Sequence, residues 1–274
     1  MSVNSQPNPA GSRRVGTTLA VLVAVLIAAF VYAPPVLAAS GSIRFGNQRE
    51  LAKSLQQAFV AYWRSGDRTP AGALADIVDY WFRYHLVKAV IAALLLGVLV
   101  ALAVHLWRAF LRAGRPAALA SAGVLVTTLA LFAVAVVMAN VQGAVAPFAS
   151  LLPMLQDGRA DGALTLTLEQ IRERLSSSTG QAPAPLEEMI SDFATYHVAL
   201  AAVAAIGATV LSIVSIVLWR RFRAADSARK RRLVGSFGVL TSVLVLAILT
   251  IMAANVSTAL NPAPALLAFF QGGW

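Results

Sequence analysis

The sequence predicts an all-α integral membrane protein with five transmembrane helices, and three observations support that class. Hydrophobic residues make up 58% of the 274 positions and charged residues only 12%, whereas about a quarter of the residues in a soluble domain are charged. Most of the chain is also built from one pattern that occurs twice. Finally, five apolar segments are long enough to cross a bilayer. These segments are residues 15–37, 85–107, 118–140, 197–219 and 233–253.

The duplicated unit is a pair of long apolar segments joined by a basic turn. In its first half, a shift of 112 residues superimposes the Tyr-His pair at 84–85 and the Trp-Arg pair at 107–108 on identical pairs. In its second half, a shift of 115 residues superimposes the Ala-Asn-Val motif at 139–141 on its second occurrence. We interpret residues 74–156 and 186–274 as two tandem transmembrane hairpins that run in parallel.

The distribution of charge predicts the orientation. With a cytoplasmic N-terminus, the inside carries twelve basic residues and the single acid Asp226, a net charge of +11, whereas the outside carries ten basic and eleven acidic residues, a net charge of −1. The positive-inside rule therefore predicts a multi-pass protein of the cytoplasmic membrane with its N-terminus inside and its C-terminus outside. The same placement accounts for the overall charge of +10 without a nucleic-acid partner. The arginine-rich, alanine-rich composition suggests a bacterial source.

The second cytoplasmic turn is strongly basic, and anionic lipid headgroups are its predicted contact. Each basic residue near such a surface contributes about 1 kcal/mol to binding. The alternative is that these charges only orient the helices. The seven residues are Arg220, Arg221, Arg223, Arg229, Lys230, Arg231 and Arg232.

The N-terminal segment has two interpretations. Residues 1–14 are polar and are predicted to be a disordered cytoplasmic extension, and residues 15–37 follow as an apolar anchor. Arg13 and Arg14 before an apolar run that ends in small residues also resemble a twin-arginine signal peptide. The residues directly after the arginine pair are not the strongly apolar ones that this route prefers. The run is also long enough to span, so we favour a retained anchor.

The segments between the spans predict an extracellular helical cap. Residues 38–73 contain a helix that Asn47 and Glu50 begin as a capping box and that Gly66 ends. Residues 157–185 contain a second helix and a linker. Each inward-running span is expected to extend into the cap through an apolar stripe. The stripes are Leu74, Ile77 and Trp81 in the first copy, and Leu186, Met189 and Phe193 in the second.

Four polar residues at matched positions of the two copies are the best candidate site. They are His85, His197, Asn140 and Asn255. Paired histidines near the outer surface can ligate a metal or a haem, or bind a protonatable ligand. The alternative is that the histidines belong to an interfacial aromatic belt and that the asparagines cap helix ends. Nearby carboxylates, including Asp192, are expected on a solvated helix face.

The sequence contains no cysteine and no nucleophile-elbow, phosphate-loop or zinc-protease motif. We therefore predict a protein that is not an enzyme, with no catalytic residues, no metal site and no resident cofactor. Its predicted function is to bind or scaffold a protein partner at the cap. The alternative from another class is a small-solute permease or a haem-binding redox subunit. Its spans lack the deep ionisable group that coupled transporters use.

Overall fold

A computed structural model describes residues 9–40, 43–112, 117–156, 162–177 and 182–273, and their regular structure is helical apart from one isolated bridge between Ser40 and Ile43. The all-α class is therefore confirmed. The helices are α1 (Pro9–Ala38), α2 (Gln48–Ser65), α3 (Ala73–Arg112), α4 (Ala117–Val145), α5 (Pro147–Leu151), a 3-10 turn (Leu152–Leu155), α6 (Gly162–Ser176), α7 (Ala184–Arg223), α8 (Ala228–Leu260) and α9 (Pro262–Phe270).

Five helices of the described chain, α1, α3, α4, α7 and α8, are long and apolar enough to cross a membrane, as the sequence predicted. Helices α3 and α7 have 40 residues each, which at about 1.5 Å per residue gives roughly 60 Å. A bilayer's hydrocarbon core is only about 30 Å thick. Both helices therefore continue well beyond the apolar segments at 85–107 and 197–219.

The five long helices pack as two neighbouring hairpins with one additional helix. Helix α3 packs along α4, α7 packs along α8, and α4 contacts α7 to join the two hairpins. Small residues allow the close approach of α7 and α8, because Ala204 and Ala208 are buried against Ile248. In the first hairpin, Trp107 lies directly over Gly123.

Helix α1 packs along α3, and most of its remaining surface is not covered by other parts of the described chain. It begins at Pro9, six residues before the predicted start of the span, and it includes Pro34 and Pro35 near its end. Residues 1–8 lie outside the described part of the chain. Arg83 Nε donates a 3.0 Å hydrogen bond to the carbonyl of Ala38 at the end of α1. Lys88 Nζ lies 4.6 Å from the centre of the Phe30 ring, so two basic side chains of α3 hold this end of α1.

The largest hydrophobic core lies at the end of the bundle where α3 and α7 begin. We call it the end cluster. It is formed by α2, α5, α6, α9, the 3-10 turn and the first turns of α3 and α7. Both predicted stripes contribute to it. Its fully buried large side chains are Phe59, Phe270, Leu55, Leu74, Leu151, Leu152, Leu155, Leu164, Ile171, Leu186, Met189 and Leu266.

The local sequence explains where α2 begins and ends. Asn47 Oδ1 accepts a 3.0 Å hydrogen bond from the Glu50 amide, and the Glu50 carboxylate accepts one from the Gly46 amide at 2.8 Å. This is the predicted capping arrangement, with the return bond made one residue earlier than in the standard motif. Gly66 ends the helix with φ of +73°, a left-handed conformation that favours glycine.

Polar contacts fasten the loop after α2 to α7. Tyr62 donates a 2.6 Å hydrogen bond from its hydroxyl to the carbonyl of Arg68. Burial raises the pKa of Tyr62, and the negative charge of Glu188 raises it further. Arg68 lies 3.5 Å from Glu187 and 3.5 Å from Glu188. These ion pairs are largely solvent-exposed, so they fix geometry more than they add stability.

Side-chain hydrogen bonds to backbone carbonyls also join helices that are far apart in sequence. Gln156 Nε2 donates to the Phe269 carbonyl at 3.2 Å, and Arg172 Nε donates to the Phe270 carbonyl at 2.8 Å. Together these two contacts hold the last turn of α9 against α6 and the 3-10 turn. The end cluster is therefore a cross-linked assembly of helices.

Candidate functional site

Each hairpin contains one hydrogen bond between a histidine and an asparagine. In the first hairpin, His85 Nδ1 lies 3.1 Å from Asn140 Oδ1. In the second, His197 Nδ1 lies 2.7 Å from Asn255 Oδ1. The four predicted site residues thus come together as two pairs, each within one hairpin. In the described chain, no hydrogen bond or ring contact joins His85 to His197.

The asparagines do not cap helix ends. Each lies five residues before the last residue of its helix, α4 or α8, and each amide nitrogen donates to the carbonyl four residues earlier. Asn140 Nδ2 donates to Val136 at 2.7 Å, and Asn255 Nδ2 donates to Ile251 at 2.8 Å. Because those carbonyls can only accept, they fix the amide orientation and turn Oδ1 toward the histidine.

This orientation also fixes the tautomer of both imidazoles. An amide oxygen accepts only, so Nδ1 of each histidine carries the proton and donates it to asparagine. In the neutral ring, Nε2 then holds a lone pair and is the atom left for another partner. Histidines that bind a metal commonly donate their other ring N–H to such an acceptor, which orients the ring. The same hydrogen bond also leaves Nε2 ready to accept a hydrogen bond from another group.

The first histidine is enclosed by its own hairpin. A side-chain carbon added at Gly143 would lie 2.8 Å from His85 Nδ1, so the ring packs directly on the α4 backbone. The Trp81 ring lies edge-on to it, with 4.7 Å between ring centres. As a result, His85 Nε2 is buried and has no hydrogen-bond partner within the described residues.

The second histidine lies beside a recess. The shift of 115 residues relates Gly143 to Thr258, and Thr258 lines a pocket of about 290 Å³ together with His197. The other walls come from α5, the 3-10 turn, α7 and α9, and they include Phe193, Tyr196 and Phe269. We call this recess the His197 pocket. Sequence patterns do not predict this pocket, because its walls come from parts of the chain more than 100 residues apart.

The two pairs are linked indirectly through α4 and α7. Gln142, two residues after Asn140, donates a 3.2 Å hydrogen bond to the carbonyl of Tyr196, which precedes His197. Gln142 is itself buried. The two pairs therefore lie on neighbouring helices at the boundary between the apolar bundle and the end cluster.

Asp192 is not on a solvated face, contrary to the sequence prediction. Its Oδ2 accepts a 2.6 Å hydrogen bond from the backbone amide of Ala149, in the first turn of α5. The first amides of a helix have no partner within that helix, so a carboxylate satisfies one of them. Asp192 therefore fastens α5 to α7, and this hydrogen bond gives its carboxylate a structural role.

The basic residues of the second turn lie mainly on helix ends. Helix α7 runs to Arg223 and α8 begins at Ala228, so the connection is short. Arg229 stacks on Phe110 of the first hairpin at 5.5 Å, and Arg231 stacks on Phe222 at 5.0 Å. Aromatic contacts thus orient part of the predicted lipid-contacting group.

The third histidine lies elsewhere. A side-chain carbon added at Gly16 would lie 3.3 Å from His105 Nε2, so His105 packs against α1. His105 therefore faces α1, whereas His85 faces Asn140 on α4. Among the described residues, no group of three or more His, Cys, Asp or Glu side chains can hold a metal ion.

The fold and site define a class: an all-helical chain with five helices able to cross a membrane, with paired polar residues where the bundle meets the end cluster. Comparisons with protein-family models, with curated proteins and with solved structures found no match.

Proposed function

We propose that this protein is a non-enzymatic binding protein of the bacterial cytoplasmic membrane, whose end cluster projects outside the cell and binds a protein partner. The end cluster carries this proposal. A chain that only needed to span the membrane would gain nothing from a second core, yet seven elements converge on one. Ordered surfaces of this kind present fixed side chains to a partner at low entropic cost.

A groove on the end cluster offers a surface for that partner. It has a volume of about 590 Å³ and lies between residues 43–45, α2 and the first turn of α3. Its lining mixes charges of both signs with apolar side chains: Arg44 and Asp76 are exposed, whereas Ala58 and Ile77 are buried. Interfaces commonly combine an apolar centre with a polar rim.

Matched contacts support the proposal that the two hairpins are a tandem repeat. Besides the histidine–asparagine pairs, Trp107 Nε1 donates to Thr127 Oγ1 at 3.1 Å, and Trp219 Nε1 donates to Ser242 Oγ at 3.3 Å. The shifts of 112 and 115 residues relate these two pairs to each other. A parallel repeat places both tryptophans at one depth. It therefore also puts both basic turns on one side of the bundle, and the charge of those turns is what favours an end cluster outside.

The basic ends of α7 and α8 complete the proposed membrane contacts. We propose that the seven basic residues predicted from the sequence contact anionic headgroups on the cytoplasmic side. Arg220, Arg221 and Arg232 are exposed, and each such charge contributes about 1 kcal/mol near an anionic surface. This contact anchors the chain and needs no specific lipid.

Site-specific photo-crosslinking in cells tests the binding role. A photoreactive amino acid at Gln57, exposed in the groove, is expected to give one discrete protein adduct. The matched control is the same group at Glu173, exposed on α6 away from the groove, where that adduct is expected to be absent. Ser54→Trp, which narrows the groove, should abolish the Gln57 adduct. No adduct at Gln57, or the same adduct at both positions, would refute a partner in the groove.

A haem-binding redox subunit is the second candidate, and one observation favours it: within the described residues His85 Nε2 has no hydrogen-bond partner, and His197 contacts Asn255 through Nδ1 rather than Nε2. The packing of His85 opposes this candidate, because Trp81 and the Gly143 backbone occupy the surroundings of that ring. An optical spectrum of purified protein separates the candidates, since a Soret band would establish haem. A small-solute permease has less support, because the described spans contain no deeply placed carboxylate.

A further inference from the structure

The two hairpins differ at the histidine site, and in the second hairpin a pocket borders the histidine. Trp81 in the first hairpin corresponds to Phe193 in the second by the shift of 112 residues. Both rings lie edge-on to their histidine with 4.7 Å between ring centres. The indole is larger and carries an N–H donor, so the phenyl ring leaves space that the indole fills.

The residue that receives the indole hydrogen bond has also changed. Trp81 Nε1 donates a 2.8 Å hydrogen bond to Ser150 Oγ, and the shift of 115 residues relates Ser150 to Ala265. Alanine has no acceptor and a smaller side chain. Phe193 and Ala265 both line the His197 pocket. The second copy therefore has Phe193 in place of Trp81 and Ala265 in place of Ser150. These two differences remove the ring atoms and the hydrogen bond that fill the equivalent position of the first hairpin.

We infer that the His197 pocket binds a small aromatic molecule that carries an O–H or N–H donor. The pocket is lined by three aromatic rings, those of Phe193, Tyr196 and Phe269, which suit an aromatic ligand. Asn255 holds the Nδ1 proton of His197, so Nε2 is its available atom and it accepts a hydrogen bond. The ligand therefore supplies ring atoms where Trp81 supplies them in the first hairpin, but its donor binds His197 Nε2, whereas the indole N–H binds Ser150.

The size and the opening of the pocket fit this ligand class. A volume of about 290 Å³ lies just below the range of about 300–1,000 Å³ for small-molecule sites, so the pocket suits a ligand of one or two rings. Ala268 and Gly273 on its rim are exposed, which gives a ligand access from outside the chain. The Thr258 hydroxyl donates to the Ala254 carbonyl at 3.1 Å, so its oxygen is left to accept a hydrogen bond from a ligand. This site is separate from the groove proposed for a protein partner, and neither proposal depends on the other.

Fluorine NMR of the full chain in detergent micelles tests the inference with 4-fluorophenol and with 4-fluoroanisole, which has the same ring but no donor. Empty micelles correct for partitioning. We expect saturable binding of the phenol and at least tenfold weaker binding of the anisole. Unlabelled indole should displace the phenol. Equal affinity for the two probes, or no saturable binding of the phenol, would overturn the proposal.

Variants assign the binding to this pocket. The double variant Phe193→Trp with Ala265→Ser rebuilds the pair of the first hairpin and is expected to abolish phenol binding while raising the thermal midpoint. Ala265→Phe should abolish binding by filling the space. The matched control is Ala253→Phe, at an exposed position of α8, which should bind normally. Phenol binding that persists in both the double variant and Ala265→Phe would show that the ligand binds elsewhere and would refute the site. If one of these two variants does not fold, binding to the other tests the site.

Discussion

His85 Nδ1 donates to Asn140 Oδ1 across 3.1 Å, and only 6% of the asparagine surface is exposed. Asn140→Leu should therefore leave the buried Nδ1 without an acceptor and lower the free energy of unfolding by about 1–3 kcal/mol. Asn255→Leu is the matched control. Its histidine borders a pocket that water can enter, so its effect should be smaller. Denaturant titration in micelles measures both, and equal losses would contradict the difference in burial.

Gly143 and Gly97 make a second matched pair. Gly143→Ala would place a carbon 2.8 Å from His85 Nδ1, and displacing the ring should cost about 1–3 kcal/mol. Gly97 lies inside α3 with no atom within 4 Å of the added carbon. Gly97→Ala should stabilise by about 0.5–1 kcal/mol, because alanine loses less conformational entropy in a helix. Thermal midpoints of the two variants should therefore shift in opposite directions.

The end cluster should depend on Phe193 far more than on an exposed aromatic ring of α3. Phe193 is 8% exposed, whereas Phe82 on α3 is 41% exposed. Phe193→Ala should cost about 3–5 kcal/mol, as large-to-small changes in a core do, and Phe82→Ala should cost much less. Limited proteolysis of α2 and α6 reports loosening of the cluster. Comparable cleavage rates for the two variants would show that the stripe of α7 does not support the cluster.

Much of this architecture could be predicted because it depends on local sequence. The boundaries of α2 follow from Asn47 and Gly66, which act through their own backbone neighbours. The stripe that begins at Leu74 follows from helical periodicity. Such features need no knowledge of how helices pack. The extracellular position of the end cluster and the repeat symmetry are still predictions from sequence and charge.

The site was only partly predictable, because contacts between helices depend on rotation and crossing. Four matched polar residues were found, but their pairing within each hairpin depends on which faces of two helices meet. Asp192 shows the same limit, since its partner is the backbone of a short helix that is distant in sequence. The His197 pocket depends on missing side-chain atoms at Phe193 and Ala265. The sequence of one copy alone does not reveal that side-chain atoms are missing at these positions. Comparison with the other copy does.

We predict that α1 stays attached to the mature protein. The carbonyl of Ala38 accepts a hydrogen bond from Arg83 at 3.0 Å, and Ala38 is fully buried. A peptidase would have to unwind this end of the helix and remove it from α3. The intact mass of purified protein should therefore include residues 15–37. A mass that corresponds to a chain beginning at Ala39 would show that the segment is a cleaved signal peptide.

The last prediction concerns orientation, on which the role of the end cluster depends. The basic turn between α7 and α8 should be cytoplasmic and the end of α9 should be outside, because charged loops with many arginines are retained inside. A reporter that is active only outside the cytoplasm should work when fused after Gly273 and fail when inserted beside Asp226, which is exposed in that turn. The reverse result would put the end cluster in the cytoplasm. It would refute an extracellular partner but leave the His197 pocket untouched, since that site depends only on contacts within the chain.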